Sequence, residues 1–243
     1  MRVLIATPAY GGMINTKYLH GIRESIYGAV ADRSFPEGLE LGLYTIENES
    51  LINRGRNTCA AIAIEHGFDK LMFIDGDIGW KWPELLALIR SDKLVVGGAY
   101  PKKTLPITLN YNVLPEFAAN VDRSRKNFDD HLELRKLADP VTGELEMMHI
   151  ATGFMMIDVR VFRALVDKVP FYINRDGYGD LPTKVSDFFP VRVKDGMWES
   201  EDWAFCTICR ENGIPIYLNM NIICDHTGSY TFDEPRKGVL RTL

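Results

Sequence analysis

The residues best placed to do chemistry are two aspartates one glycine apart, Asp75-Gly76-Asp77, directly after the run Lys70-Leu71-Met72-Phe73-Ile74. An extended backbone points alternate residues the same way, so both carboxylates can face one ligand while Gly76 permits its close approach. Like charges held this near each other repel and lose water, which a divalent cation offsets. Aspartate and glycine also end strands in simple turns, and an isolated pair of this kind is more often that. Other segments have to raise the odds.

Cations come first. Arg54 and Arg56, in Asn53-Arg54-Gly55-Arg56-Asn57, lie in or next to the first turn of an apolar helix over Thr58–Ile64. The helix dipole disfavours cations there, so a bound anion is one explanation and pairing with Glu47 and Glu49 the other. Tyr100-Pro101-Lys102-Lys103 is a second cationic point, a phosphate contact or a surface turn. Later, Trp198-Glu199-Ser200-Glu201-Asp202-Trp203 opens a helix. Acidic groups stabilise a first helical turn anyway, but three beside two tryptophans exceed what capping needs, and one in an apolar pocket would have the raised pKa of a general base. His226 follows a late strand, from which it can reach a metal, whereas His20, His66 and His131 read as ordinary satisfied polar residues.

These groups need elements to hold them. Val3–Ala6 reads as a first strand stopped by Thr7-Pro8-Ala9-Tyr10-Gly11-Gly12, and Lys17–Ala31 as a helix capped by Asn15 or Thr16, with Ile22, Ile26, Ala29 and Val30 at helical spacing. Leu39–Ile46 is the second strand. Strand, helix, strand at this separation opens a parallel α/β sheet. Pro83 starts a helix with Leu85, Leu86, Leu88 and Ile89 on its buried side, and Leu94–Ala99 is another buried strand. In open α/β sheets ligands bind beyond the carboxyl ends of the strands, where all of these loops fall. From Ile107 the rhythm breaks: Asn120–Lys136 reads as a charged surface insertion and Asp139–Gly143 as a turn. Met147–Asp158 reads as an apolar stretch interrupted by Gly153, with its methionines in the core, followed by a helix Val159–Val166. Tyr172–Lys194 has no clear period and is expected to be a lid or acceptor-binding segment. Ile214–Leu218 and Ile222–Cys224 are short strands.

Composition sets the outer bounds. The chain has 243 residues, 46% hydrophobic and 25% charged, enough for one sizeable core. A net charge of −5 argues against an extended nucleic-acid surface. No stretch approaches a membrane span, and Met1-Arg2-Val3 enters a strand directly, so the cytoplasm is the expected compartment, that of the host for a viral protein. Cys206 and Cys209 form a C-x-x-C inside a helix with no second pair, so these and Cys59 and Cys224 read as buried thiols.

In this order, T-P-A-Y after a first strand, R-x-R-N, a strand ending in D-G-D, W-P-E-L-L, G-F-M-M-I-D, an E-D pair opening a late helix and a histidine after a late strand, the chain resembles the GT-A nucleotide-sugar glycosyltransferases, especially their small viral and bacterial members. The resemblance covers most of the chain and rests on the order and spacing of its motifs. It implies a GT-A, Rossmann-like α/β fold with a mixed, mostly parallel central sheet flanked by helices. One domain would span 1–243, with a nucleotide-sugar-binding half at 1–105 and an acceptor-binding half at 106–243. It implies Mn²⁺ or Mg²⁺ as cofactor, a UDP- or GDP-linked sugar donor and a glycan or other hydroxyl acceptor. Asp75, Asp77 and His226 would be the metal ligands, with Asp75 also on the ribose. Thr7, Ala9 and Tyr10 would hold base and ribose; Arg54 or Arg56, with Lys102, the phosphates; His149 and Gly153 would lie near the sugar and acceptor; and Asn57 and Gly76 would also belong to the nucleotide-sugar site. Asp202 would be the base of an inverting transfer and Glu201 would orient the acceptor. A transferase acting on a modified DNA base, a sugar nucleotidyltransferase and a non-catalytic sugar-nucleotide-binding module remain alternatives.

Overall fold

A strand buried on both faces needs an unbroken apolar run, and the runs at residues 3–6, 71–74 and 95–96 supply the centre of one sheet. The computed structural model describes residues 1–35, 38–105, 107–121, 128–174 and 184–228. The first half runs β1 (Arg2–Ala9), α1 (Thr16–Ala31), β2 (Glu40–Glu47), α2 (Ile52–Glu65), β3 (Lys70–Ile74), β4 (Ile78–Gly79), α3 (Trp82–Arg90) and β5 (Val95–Ala99). After it come β6 (Tyr111–Val113), α4 (Phe128–Arg135), β7 (Glu144–Ile150), β8 (Phe154–Asp158) and α5 (Val159–Leu165). The remainder is β9 (Phe171–Ile173), β10 (Lys184–Ser186), β11 (Arg192–Lys194), β12 (Met197–Glu199), α6 (Glu201–Glu211), β13 (Ile216–Ile223) and β14 (Asp225–His226).

Eight strands form one sheet in the order β2-β1-β3-β8-β5-β13-β7-β6. β1 lies parallel to β2 and β3, and β5 to β13, whereas β8 opposes β3 and β5, and β7 opposes β13 and β6. Six strands therefore share a direction and two reverse it, the mixed, mostly parallel α/β sheet expected of the sequence. Apolar layers cover both faces. One holds Tyr18, Ile22, Trp80 and Leu85 from the α1 and α3 side; the other holds Phe73, Phe162, Phe188, Phe189 and Phe205 beneath α2, α5 and α6. The four cysteines are free and buried, and burial pushes Cys59 and Cys206 up to about 12, as inert core thiols require. His131 is buried between Tyr111 and the Met220 carbonyl, and Met147, Met155 and Met156 lie in the core, as expected.

Three sequence expectations change. In α1 Ile22 is buried, but Ile26 and Val30 are 52% and 71% exposed. The helix instead turns its glycines inward: a Cβ on Gly21 or Gly28 would lie 2.6 or 2.3 Å from the rings of Trp80 or Trp82. Large indoles take the space that periodicity assigns to aliphatic residues. α2 starts at Ile52, six residues before Thr58, so Arg54 and Arg56 are within it. Residues 216–223 form one strand, the antiparallel partner of β7 along Ile216–Asn219. Of the expected lid, residues 175–183 lie outside the described residues, and the rest carries the β9–β10 and β11–β12 ribbons. Of the charged insertion, residues 122–127 also lie outside them, and α4 occupies its second half.

Candidate functional site

A cleft of about 520 Å³ opens beyond the carboxyl ends of β1 and β3, lined by Ala9 and Tyr10 on one side, Asp75, Gly76 and Asp77 on its floor, and Lys103, Thr227 and Gly228 opposite. Its walls are built by close backbone approach. The Asn15 amide donates to the Gly76 carbonyl (2.7 Å), and a Cβ on Gly76 would meet Met13 and Ile14 at 3.3 Å. The Thr227 amide donates to the Asp77 carbonyl (2.9 Å), and β14 pairs with β4, placing His226 beside the motif.

The two aspartates face different partners. Arg56 is 2% exposed, lies over the Phe73 ring at 5.2 Å, and donates through Nη2 to Asp75 Oδ1 (3.0 Å) and Oδ2 (3.3 Å). Its Nε donates to Glu201 Oε1 at 3.5 Å, while Nη1 is buried without a hydrogen-bond partner among the described residues. Burial acts to lower the Arg56 guanidinium, but Asp75 and Glu201 outweigh it and hold it above its ordinary range. Burial raises the Glu201 carboxyl, with Arg56 pulling against it. Tyr100 completes this centre: buried and kept neutral by desolvation and by the charges of Asp75 and Asp202, its hydroxyl accepts from the Gly153 amide (3.0 Å). The Asp75 amide in turn donates to the Gly153 carbonyl (3.0 Å). A Cβ at Gly153 would lie 2.5 Å from the Tyr100 hydroxyl and 2.9 Å from Asp75 Oδ2, so the position demands glycine.

Asp77 faces outward. Oδ2 accepts from Lys103 Nζ, and Oδ1 lies 3.5 Å from His226 Nε2. Burial raises the Asp77 carboxyl, but the contacts from His226 and Lys103 outweigh it and leave it at about 2. His226 Nδ1 is 2.6 Å from the Pro101 carbonyl, which only accepts, so Nδ1 carries the proton and Nε2 is left to face Asp77. An imidazole nitrogen beside a carboxylate is a pair of ligand types that a divalent cation takes, with the backbone carbonyl fixing the ring's orientation from behind. That donor chemistry fits a divalent metal held by Asp77 and His226. Among the described residues no three His, Cys, Asp or Glu side chains are grouped as a metal site, and Asp75 is paired with Arg56.

The remaining expected site residues are distributed as follows. Ala9 and Tyr10 line the cleft, whereas the Thr7 hydroxyl is buried against Tyr18 (2.6 Å). Arg54 pairs with Glu49, on the other side of α2 from Arg56. Asn57 is buried, donating to Asp187 (2.8 Å) and accepting from the Phe189 amide (3.0 Å), so it anchors the chain after β10. Lys102 is exposed and outside the cleft lining, while its neighbour Lys103 is in it. Asp202 sits in the first turn of α6, with Oδ1 accepting from the Ser200 hydroxyl and the Trp203 amide (2.8 Å). His149 stacks on Trp203, with centroids 4.9 Å apart, and bonds Thr207 (3.2 Å), away from the cleft lining. Sequence reasoning missed Tyr100 and Lys103 as individuals. The signal was the Tyr100–Lys103 segment itself, which does not say which of its two lysines lines the cleft.

No family model matches the chain, and no curated protein matches it in sequence. Similar solved structures include the following two. The crystal structure of A197 from STIV aligns over 96% of this chain and 97% of its own at 12% identity and a TM-score of 0.49. GalNAc-T7, solved with UDP, GalNAc and Mn²⁺, aligns over 93% of this chain at 10% identity and a TM-score of 0.51. This chain spans 43% of that protein's structure. At such identity the likeness to GalNAc-T7 is one of fold, a mixed α/β GT-A-like architecture. Among the described residues no helix is long and apolar enough to cross a membrane.

Proposed function

We propose that this protein is a metal-dependent glycosyltransferase that moves a sugar from a UDP- or GDP-linked donor to an acceptor hydroxyl, that of a glycan. One observation carries the reading: two carboxylates of a single D-G-D turn line one cleft with the lysine of residue 103, with His226 3.5 Å from Asp77 and a buried arginine that joins Asp75 to the acidic start of α6. The GT-A-like fold, shared with a glycosyltransferase solved with UDP, GalNAc and Mn²⁺, supports it. In this reading residues 1–105 form the donor half and 106–243 the acceptor half.

Asp77 and His226 would hold Mn²⁺ or Mg²⁺, which when bound supplies Lewis-acid stabilisation of the negative charge on the departing diphosphate. Ala9 and the 71% exposed Tyr10 offer a wall for the base. Asp75, oriented by Arg56 and by the Gly153 backbone, accepts from the ribose. Arg56 Nη1 is a buried donor with no acceptor among the described residues, in keeping with a site that a ligand completes. Preorganised groups of this kind need no rearrangement as charge develops. Asp202 takes the proton of the acceptor hydroxyl as it attacks, and Glu201 orients that hydroxyl.

A thermal-shift screen of sugar nucleotides with and without Mn²⁺ tests the reading, since a ligand that binds only the folded state raises the melting temperature by mass action. A shift for one donor that depends on the metal is expected; none with any donor would remove the proposal. For the base, Asp202→Asn is expected to abolish transfer while donor affinity stays near wild type. Should Glu201→Gln alone do this, the proton belongs to Glu201.

A further inference from the structure

Among the described residues lining the cleft, Lys103 carries the only cationic side chain, and it is spent on Asp77, the carboxylate that the proposed function gives to a divalent ion. That carboxylate has little help nearby: Asp75 is committed to Arg56, and His226 brings one ring nitrogen at 3.5 Å. An ammonium and a dication therefore compete for Asp77, since like charges within a few ångströms of each other repel. The lysine is built to yield. Its side chain is 44% exposed, and its stem runs along Gly228, where a Cβ would lie only 3.1 Å from Lys103 Cδ. A flexible four-carbon stem over bare backbone lets the head leave Asp77 while staying inside the cleft.

We infer that Lys103 is a placeholder cation that neutralises Asp77 in the metal-free protein, releases that carboxylate when the metal arrives, and then donates to the diphosphate oxygens of the bound nucleotide. The inference rests on the proposed function and adds a residue and an order of events to it. Its signature is a pair of effects of opposite sign. Removing the ammonium removes a competitor for the metal site but also a donor to the diphosphate. A lysine that only props up the loop would weaken both ligands or neither.

The test uses the whole chain and Lys103→Met, with a melting curve confirming that the variant is folded at the assay temperature. Binding of Mn²⁺ alone is followed by loss of the free-ion electron paramagnetic resonance signal, and binding of UDP at saturating Mn²⁺ by calorimetry. The variant is expected to bind Mn²⁺ alone more tightly than wild type and UDP roughly tenfold more weakly, the loss of one charge-assisted hydrogen bond. Lys103→Arg, which keeps the charge, moves both values back toward wild type. If wild type binds both ligands and Lys103→Met shifts them in the same direction, or shifts neither, the inference is wrong while the proposed function stands. If wild type binds neither, the proposed function falls and takes the inference with it.

Discussion

Asp75 and Asp77 are one glycine apart and similarly accessible, with side chains 31% and 38% exposed, yet they belong to different kinds of site. Asp75 is held by an arginine whose side chain is 3% exposed, with Tyr100 and the Gly153 backbone behind it. Asp77 is held by a lysine whose side chain is 44% exposed and by a histidine at longer range. The first carboxylate is locked by groups that have no other place to go. The second is held in part by an exposed lysine, which a ligand can replace. A single turn thus joins a rigid interior to an exchangeable surface, as a site needs when it must both orient a substrate and release it.

Substitutions at the two ends should separate in stability and in chemistry. The largest effect is expected for Arg56→Met, which strands Asp75 and Glu201 beside a buried apolar side chain: a loss of about 3–5 kcal/mol in denaturant unfolding. A loss below about 1 kcal/mol would erase the distinction between the ends. Gly153→Ala comes next, since its methyl would overlap the Tyr100 hydroxyl and approach Asp75; about 1–3 kcal/mol is expected, with the displaced Asp75 weakening nucleotide binding in calorimetry.

Asp77→Asn should cost least in stability, within about 1 kcal/mol at neutral pH, because Asp77 itself is 38% exposed and its ion-pair partner Lys103 44%. It should nevertheless lower metal-dependent donor hydrolysis by about a hundredfold or more. Its pH dependence has a definite sign. The Asp77 carboxyl is depressed from 3.8 to about 2 in the folded protein, so its contribution to stability is present above pH 4 and lost as pH falls through about 2. The stability difference between wild type and Asp77→Asn should therefore shrink over that acid range, as read by urea midpoints at successive pH values.

Much of this was legible in the sequence where local signals act alone. The apolar runs of β1, β3 and β5, the Asn15 cap of α1 (Asn15 Oδ1 accepting from the Lys17 amide at 3.0 Å) and the Gly153 break between β7 and β8 all follow from short-range chemistry. What stayed hidden depends on partners distant in the chain. Nothing local says that Arg54 meets Glu49 while Arg56 meets Asp75 and Glu201; residues two apart on a helix point to different sides, and the start of α2 decides which. Nothing in α1 shows that Trp80 and Trp82 press against its glycines and turn Ile26 and Val30 outward. The choice of Lys103 over Lys102 likewise shows only in its pairing with Asp77, 26 residues away.

The stitching of residues 224–227 onto the loops after β3 and β5 also dictates when the cleft comes into being. The Cys224 amide bonds the Ala99 carbonyl (2.8 Å), His226 the Pro101 carbonyl (2.6 Å), and the Thr227 amide the Asp77 carbonyl (2.9 Å). During synthesis the D-G-D turn emerges some 150 residues before the strand that walls it in. A nascent chain can therefore fold its first strands early, yet its cleft is complete only once this late segment has left the ribosome.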